Sequence, residues 1–135
     1  MTKTEIEQFR RKLESNRADA LRFLARLASE ARSLDADIPQ DSGDYSVATL
    51  SKESLIQQSS ERRRLVRTID DALQRIRQGT FGVCAGCGDE IHSKRLTALP
   101  WTEYCIDCQE MLKQGEQLNG FAETHRSLAP RARAG

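Results

Sequence analysis

Cys84-Ala85-Gly86-Cys87, separated by 17 residues from Cys105-Ile106-Asp107-Cys108, is the stretch that decides the fold, and it uses all four cysteines of the chain. Each pair can span one edge of a thiolate tetrahedron around Zn²⁺ at about 2.3 Å, while the intervening segment folds back to deliver the second edge. Four thiolates fill the coordination sphere. The spacing therefore predicts one structural zinc held by Cys84, Cys87, Cys105 and Cys108, with no open position for an activated water. A redox dithiol is the competing reading, but no strand-helix-strand pattern flanks either pair. Gly82, Gly86 and Gly88 suit a knuckle in which backbone amides turn toward the sulfurs. Asp107 reads as an acid of a helix's first turn, and His92 and His125 as surface histidines.

Outward from the cysteines, composition limits what the rest can be. Of 135 residues, 38% are apolar and 5% aromatic, too few for a large core, so an elongated protein stapled by metal is expected. No apolar run approaches the ~18 residues of a membrane span. Residues 1–12 carry Glu5, Glu7, Arg10, Arg11 and Lys12 without an apolar export segment, which predicts a cytoplasmic protein with reduced thiols. Formal charge is +1 with neutral cysteines. Four thiolates and one zinc bring the loaded chain near −1, unfavourable for general binding to nucleic-acid phosphate.

Upstream of the metal site two helical patterns are visible. Thr4-Glu5-Ile6-Glu7 has capping-box spacing, with Thr4 as N-cap. Ile6, Leu13, Ala20, Leu27 and Leu34 then recur every seven residues, flanked by Phe9, Phe23, Leu24 and Ala31, the pattern of a coiled-coil seam. Between Asp35 and Asp44 the acids cluster without a nearby base, and Pro39 and Gly43 break the helix. A second apolar run resumes with Leu50, Leu55, Leu65, Ile69, Ala72, Leu73 and Ile76, and ends at Gly79. The expected fold is mainly α: a long antiparallel helical hairpin over residues 1–78 with an acidic tip near 35–46. A small four-cysteine module and C-terminal helix follow over 79–125, then a disordered, mildly basic tail over 126–135. Helices of roughly 30 residues make the hairpin about 45 Å tall. The acids at its closed end read first as turn formers and caps, with Asp44 a candidate cap of the second helix. A probe that presents carboxylates is the alternative.

The string Gly79-Thr80-Phe81-Gly82-Val83-Cys84, followed by Ile91, Arg95-Leu96, Ala98, Pro100 and Cys105-Ile106-Asp107-Cys108-Gln109, resembles the zinc signature of the DksA/TraR family of transcription regulators. Counted back from Cys84 without gaps, that family's tip motif Asp-x-x-Asp-x-Ala falls on Asp41-Ser42-Gly43-Asp44-Tyr45-Ser46. Both acids are kept. Ser46 stands where the family has alanine, which retains a small side chain and adds a hydroxyl. The resemblance implies a non-enzymatic factor that binds bacterial RNA polymerase by inserting the hairpin into the secondary channel, so that Asp41, Asp44 and Ser46 face the active site. Members similar to DksA also use basic side chains to bind the alarmone ppGpp. The corresponding positions here are Thr68, Leu99 and Gln109, none of which can neutralise a phosphate, so weak or absent ppGpp dependence is implied. Arg64, Arg67 and Arg95 are the candidate polymerase contacts. Arg62-Arg63-Arg64-Arg67 also reads as a solvated helix face balanced by Glu61, Asp70 and Asp71.

Two further classes remain open on the residues alone. A nucleic-acid-binding four-cysteine finger needs a basic face with stacking aromatics, and residues 84–108 offer only Lys94, Arg95, Trp101 and Tyr104; direct sequence-specific DNA binding is not expected. A zinc-stabilised coiled-coil adaptor that dimerises needs an unbroken seam, whereas the break at Pro39 and Gly43 favours pairing within one chain and a monomer. An enzyme is not indicated, because no nucleophile and base pair, phosphate loop or open metal position is present.

Overall fold

The computed structural model describes residues 1–36 and 42–119, with the side chains of 36, 42–46, 48 and 116–119 outside that description. Four helices follow in order: α1 Lys3–Ala36, α2 Ser42–Gln78, α3 Ser93–Ala98 and α4 Ile106–Asn119. Among the described residues none is long and apolar enough to cross a membrane. The chain forms two compact units. One is Arg11–Asp70, and the other joins Met1–Arg10 to the chain from Asp71 onward.

The unit Arg11–Asp70 is an antiparallel helical hairpin. Contacts between its arms fix the direction: Asp35 pairs with Lys52, Phe23 packs under Arg62, and Arg17 Nε donates to Asp70 Oδ1 at 2.6 Å. As one partner's number falls, the other's rises by nearly the same amount. The heptad seam lies inside, with Leu13, Ala20 and Leu27 buried on α1 and Leu55 and Ile69 on α2. One seam position is not apolar: Arg62 lies seven residues from both Leu55 and Ile69. Its guanidinium sits 4.1 Å from the Phe23 ring centroid, with Arg26 at 5.1 Å from the same ring. A stacked guanidinium keeps its charge hydrated at the edge while its stem covers apolar surface.

Several sequence expectations need correction here. The capping box forms two residues earlier than Thr4–Glu7. Thr2 N–H donates to Glu5 Oε2 at 2.7 Å, and Glu5 N–H donates to Thr2 Oγ1 at 3.1 Å. Both T-x-x-E frames exist in the sequence, and the earlier one lengthens the helix. Gly43 and Asp44 do not break or cap α2, since the helix already begins at Ser42. Leu50, expected to reopen the apolar run, is 65% exposed. Of the acids expected to lack a nearby base, Asp35 has one, because Lys52 pairs with it. Asp37, Ile38, Pro39, Gln40 and Asp41, the tail 126–135 and His125 lie outside the described residues.

In the other unit, α2 ends in a Schellman motif. Gly79 adopts φ 79°, its N–H donates to Ile76 O at 3.2 Å, and Thr80 N–H donates to Arg75 O at 2.9 Å. A residue with a Cβ resists this left-handed turn. Phe81 then meets Phe9 with ring centroids 5.4 Å apart. Phe81, Ile91, Leu96 and Pro100 are buried in this unit.

Candidate metal centre

The two cysteine pairs are delivered by different local devices. Cys84 follows a turn at Gly82, where φ is 86°. An isolated antiparallel bridge pairs Val83 with Glu90, while Ile91 N–H donates to Gly82 O and Cys84 N–H to Asp89 O, both at 2.8 Å. Gly88 N–H closes the knuckle on Cys84 O at 3.0 Å. Cys105 immediately precedes α4 and Cys108 lies in its first turn, with Asp107 as the acid of that turn. The sequence did not disclose α3, a single six-residue helix. Its N-cap is His92, whose Nδ1 accepts from Lys94 N–H at 3.2 Å; the histidine expected at the surface is exposed and serves as a cap.

The four Sγ atoms all lie within 4.8 Å of one another, and Cys87 Sγ is 3.9 Å from Cys105 Sγ. A tetrahedral ZnS₄ centre with Zn–S near 2.3 Å has sulfur–sulfur edges of about 3.8 Å, so the Cys87–Cys105 edge has the length of that polyhedron's and the other edges exceed it by no more than about 1 Å. The four cysteines are free of disulfides. Amide donors already point at the sulfurs: Gly86 N–H and Cys105 N–H each reach Cys84 Sγ at 3.3 Å, and Cys108 N–H reaches Cys105 Sγ at 3.5 Å. Such donors stabilise negative charge on sulfur. Burial raises the pKa of the Cys84 thiol, yet the amides of Cys105, Cys87 and Gly86 outweigh it and bring the thiol down to about 6. Cys108 is pushed upward by burial and by its three neighbouring thiols. At Cys87 the Asp89 amide and the Cys108 thiol favour the thiolate, but burial and the thiols of Cys84 and Cys105 prevail and raise its pKa. A divalent cation relieves that crowding by binding all four as thiolates. The donor set thus fits a structural zinc ion at Cys84, Cys87, Cys105 and Cys108.

Gly86 contributes space rather than an unusual φ. A Cβ there would stand 2.9 Å from Cys108 Sγ and 3.2 Å from Cys108 Cβ. Two arginines flank the second pair. Arg75 Nη2 lies 3.3 Å from both Trp101 O and Thr102 O, and Arg95 Nε donates to Tyr104 O at 2.9 Å.

The prokaryotic dksA/traR C4-type zinc finger family matches residues 79–111. An uncharacterised protein of Aquifex aeolicus is 35% identical over 116 residues, covering 84% of this chain and 80% of that protein. The RNA polymerase-binding transcription factor DksA of Escherichia coli K12 is 27% identical, over 87% of this chain and 77% of its own length. The solved structure of transcription factor DksA2 from Pseudomonas aeruginosa superposes with a TM-score of 0.77 at 25% identity, covering 87% of this chain and 89% of that one. The chain belongs to the DksA/TraR family. Its named relatives are transcription factors, not enzymes, in keeping with a closed four-thiolate centre.

Within this DksA/TraR chain the other expected site residues lie on several elements. Arg64 and Arg67 are exposed on α2, whereas Arg95 is half-buried and engaged with the backbone beside the cysteines. Thr68 donates its hydroxyl to Arg64 O at 2.9 Å, Leu99 is partly exposed, and Gln109 is half-buried on α4. Asp44 and Ser46 fall in the first turns of α2, with side chains outside the description, and Asp41 just precedes that helix. Arg75, Thr102 and Glu103 were missed by sequence reasoning. Arg75 lies in the last turn of α2, and no sequence motif links it to residues 101–103.

Proposed function

We propose that this chain is a transcription regulator that binds bacterial RNA polymerase through its secondary channel. Asp41, Asp44 and Ser46 approach the active site, and initiation is modulated without chemistry by the factor itself. The observation that supports the reading is the two-acid sequence motif Asp41-x-x-Asp44, whose second acid lies in the first turn of α2, in a chain of the DksA/TraR family. Carboxylates brought near a polymerase's metal ions perturb the local field and the mobile elements around it. Exposed Arg64 and Arg67, together with Arg95, are the polymerase contacts. The zinc module acts as scaffold, and the protein works in the cytoplasm as a monomer without sequence-specific DNA binding.

Response to ppGpp is weak or absent in this reading, because Thr68, Leu99 and Gln109 carry no cation to meet a phosphate. The test is competition between the zinc-loaded protein and a known secondary-channel factor for RNA polymerase, with Asp41→Asn/Asp44→Asn run in parallel. Displacement by both proteins, with transcription altered only by the parent, supports the reading. Absence of displacement by either returns the coiled-coil adaptor to first place. A sharp gain in potency on adding ppGpp would overturn the nucleotide-independent part alone.

A further inference from the structure

The connection between α3 and α4 carries more hydrogen bonding than a linker needs, and all of it converges just before Cys105. Arg75, on the last turns of α2, is buried to 16% side-chain exposure. It places Nη2 at 3.3 Å from both Trp101 O and Thr102 O, and its Nη1 lies 3.8 Å from the Glu103 carboxylate. From the other side, α3 supplies Arg95, whose Nε donates to Tyr104 O at 2.9 Å and whose Nη2 donates to Thr102 Oγ1 at 3.3 Å. Thr102 is buried at 8% exposure, and its hydroxyl also donates to Tyr104 O at 3.1 Å. Glu103 O accepts from Ala85 N–H at 2.8 Å, which ties the same segment to the first knuckle. Carbonyls 101, 102 and 104 are therefore held by guanidinium groups, and carbonyl 103 by the opposite cysteine pair.

We infer that Arg75 and Arg95 form a two-sided guanidinium clamp that sets the position of the Cys105–Cys108 pair relative to Cys84–Cys87, making both arginines positioning residues for zinc retention. A metal joining two separately delivered halves is held only as well as the halves are held in register. Charge-assisted donors from a planar fork can fix consecutive carbonyls with a geometry that an ammonium cannot reproduce. The clamp touches no sulfur, so it acts through the backbone of residues 101–104. The inference stands apart from the proposed polymerase function, because its readout is the metal site alone.

The test uses the full zinc-loaded chain with Arg75→Gln, Arg95→Gln and Arg95→Lys, and follows zinc transfer to an excess of a chromophoric chelator. Loss of partners surrounding a metal's ligands typically weakens retention by about 10- to 100-fold. Release at least about tenfold faster is expected for both glutamine variants, with no rescue by lysine and wild-type release for Arg77→Gln, an exposed arginine bonded to Gln74. Thiol alkylation read by mass spectrometry supplies the independent signature: Cys105 and Cys108 of the variants should label before Cys84 and Cys87. Thr102→Val removes only the hydroxyl that Arg95 meets, and should show the same labelling order with a smaller rate change. It decides the matter if an arginine variant fails to fold. Wild-type release and simultaneous labelling of the four cysteines in folded variants would overturn the inference.

Discussion

Gly86 and Gly88 sit in the same knuckle for opposite reasons, and substitution separates them. At Gly88 a Cβ meets nothing within 4 Å, but φ is 81°, so alanine costs about 1–2 kcal/mol of backbone strain without touching a ligand. At Gly86 an added methyl runs into Cys108 at 2.9 Å, an overpacking of roughly 1–3 kcal/mol directed at the metal polyhedron. Gly86→Ala is therefore expected to weaken zinc binding by about tenfold or more in a chelator competition, and Gly88→Ala to lower stability with a smaller effect on affinity. The Thr2–Glu5 box carries its own pH signature. Hydrogen bonds from the Thr2 backbone and side chain hold the Glu5 carboxyl below the ordinary glutamate range. A depressed folded-state pKa means that the contribution is complete above the unfolded value and is lost as pH falls through the folded one. Amide exchange at Glu5 and Ile6 should thus stay protected down to the ordinary glutamate range and lose protection below it. Unchanged protection well below that range would show the box to be inert.

At the scale of the element, the seven-residue period on α1 was legible because a seam facing one partner must repeat with the helix, and Leu13, Ala20 and Leu27 are buried as that period requires. On α2 the same logic was blurred. Arg62 occupies a seam position by stacking on Phe23, which no hydropathy pattern reveals, and Leu50 is apolar yet exposed. The helix start was misplaced by two residues because two identical capping frames overlap at Thr2 and Thr4. The pairing of Asp35 with Lys52 depends on the chain reversal, so neither residue announces it locally. A direct check contrasts seam with surface: Leu13→Ala or Ile69→Ala, each at 0% exposure, should cost about 2–5 kcal/mol in denaturant unfolding. Leu50→Ala should stay within about 0.5 kcal/mol. Equal costs would mean that the seam does not carry the hairpin.

At the scale of the whole molecule, the metal centre was legible from four residues, whereas its support was not. Cysteine spacing encodes coordination directly, but Arg75 and Arg95 reach Trp101, Thr102 and Tyr104 only after α2 and α3 have formed. Removing zinc should therefore discriminate between the two units. Thiolate coordination supplies much of the folding free energy of small zinc modules, whereas Arg11–Asp70 has its own buried seam. Complete chelation is expected to abolish amide protection across residues 79–112 while most far-ultraviolet helical signal persists. Persistent protection in 79–112 without metal would show that packing alone holds the module.

The contact between the Phe9 and Phe81 rings also bears on synthesis at the ribosome. These rings are 72 positions apart in the chain, and closing so long a loop from an open coil carries a length-dependent entropy on the order of 4 kcal/mol. Arg11–Asp70 lies wholly between them and is complete before Phe81 is synthesised. Once that segment zips, the gap is no longer a random search, and the earliest-synthesised residues are among the last to find their place. Biogenesis from the middle outward is therefore expected, so a translational pause after Asp70 should be tolerated, whereas premature engagement of Met1–Arg10 by another apolar surface should delay maturation.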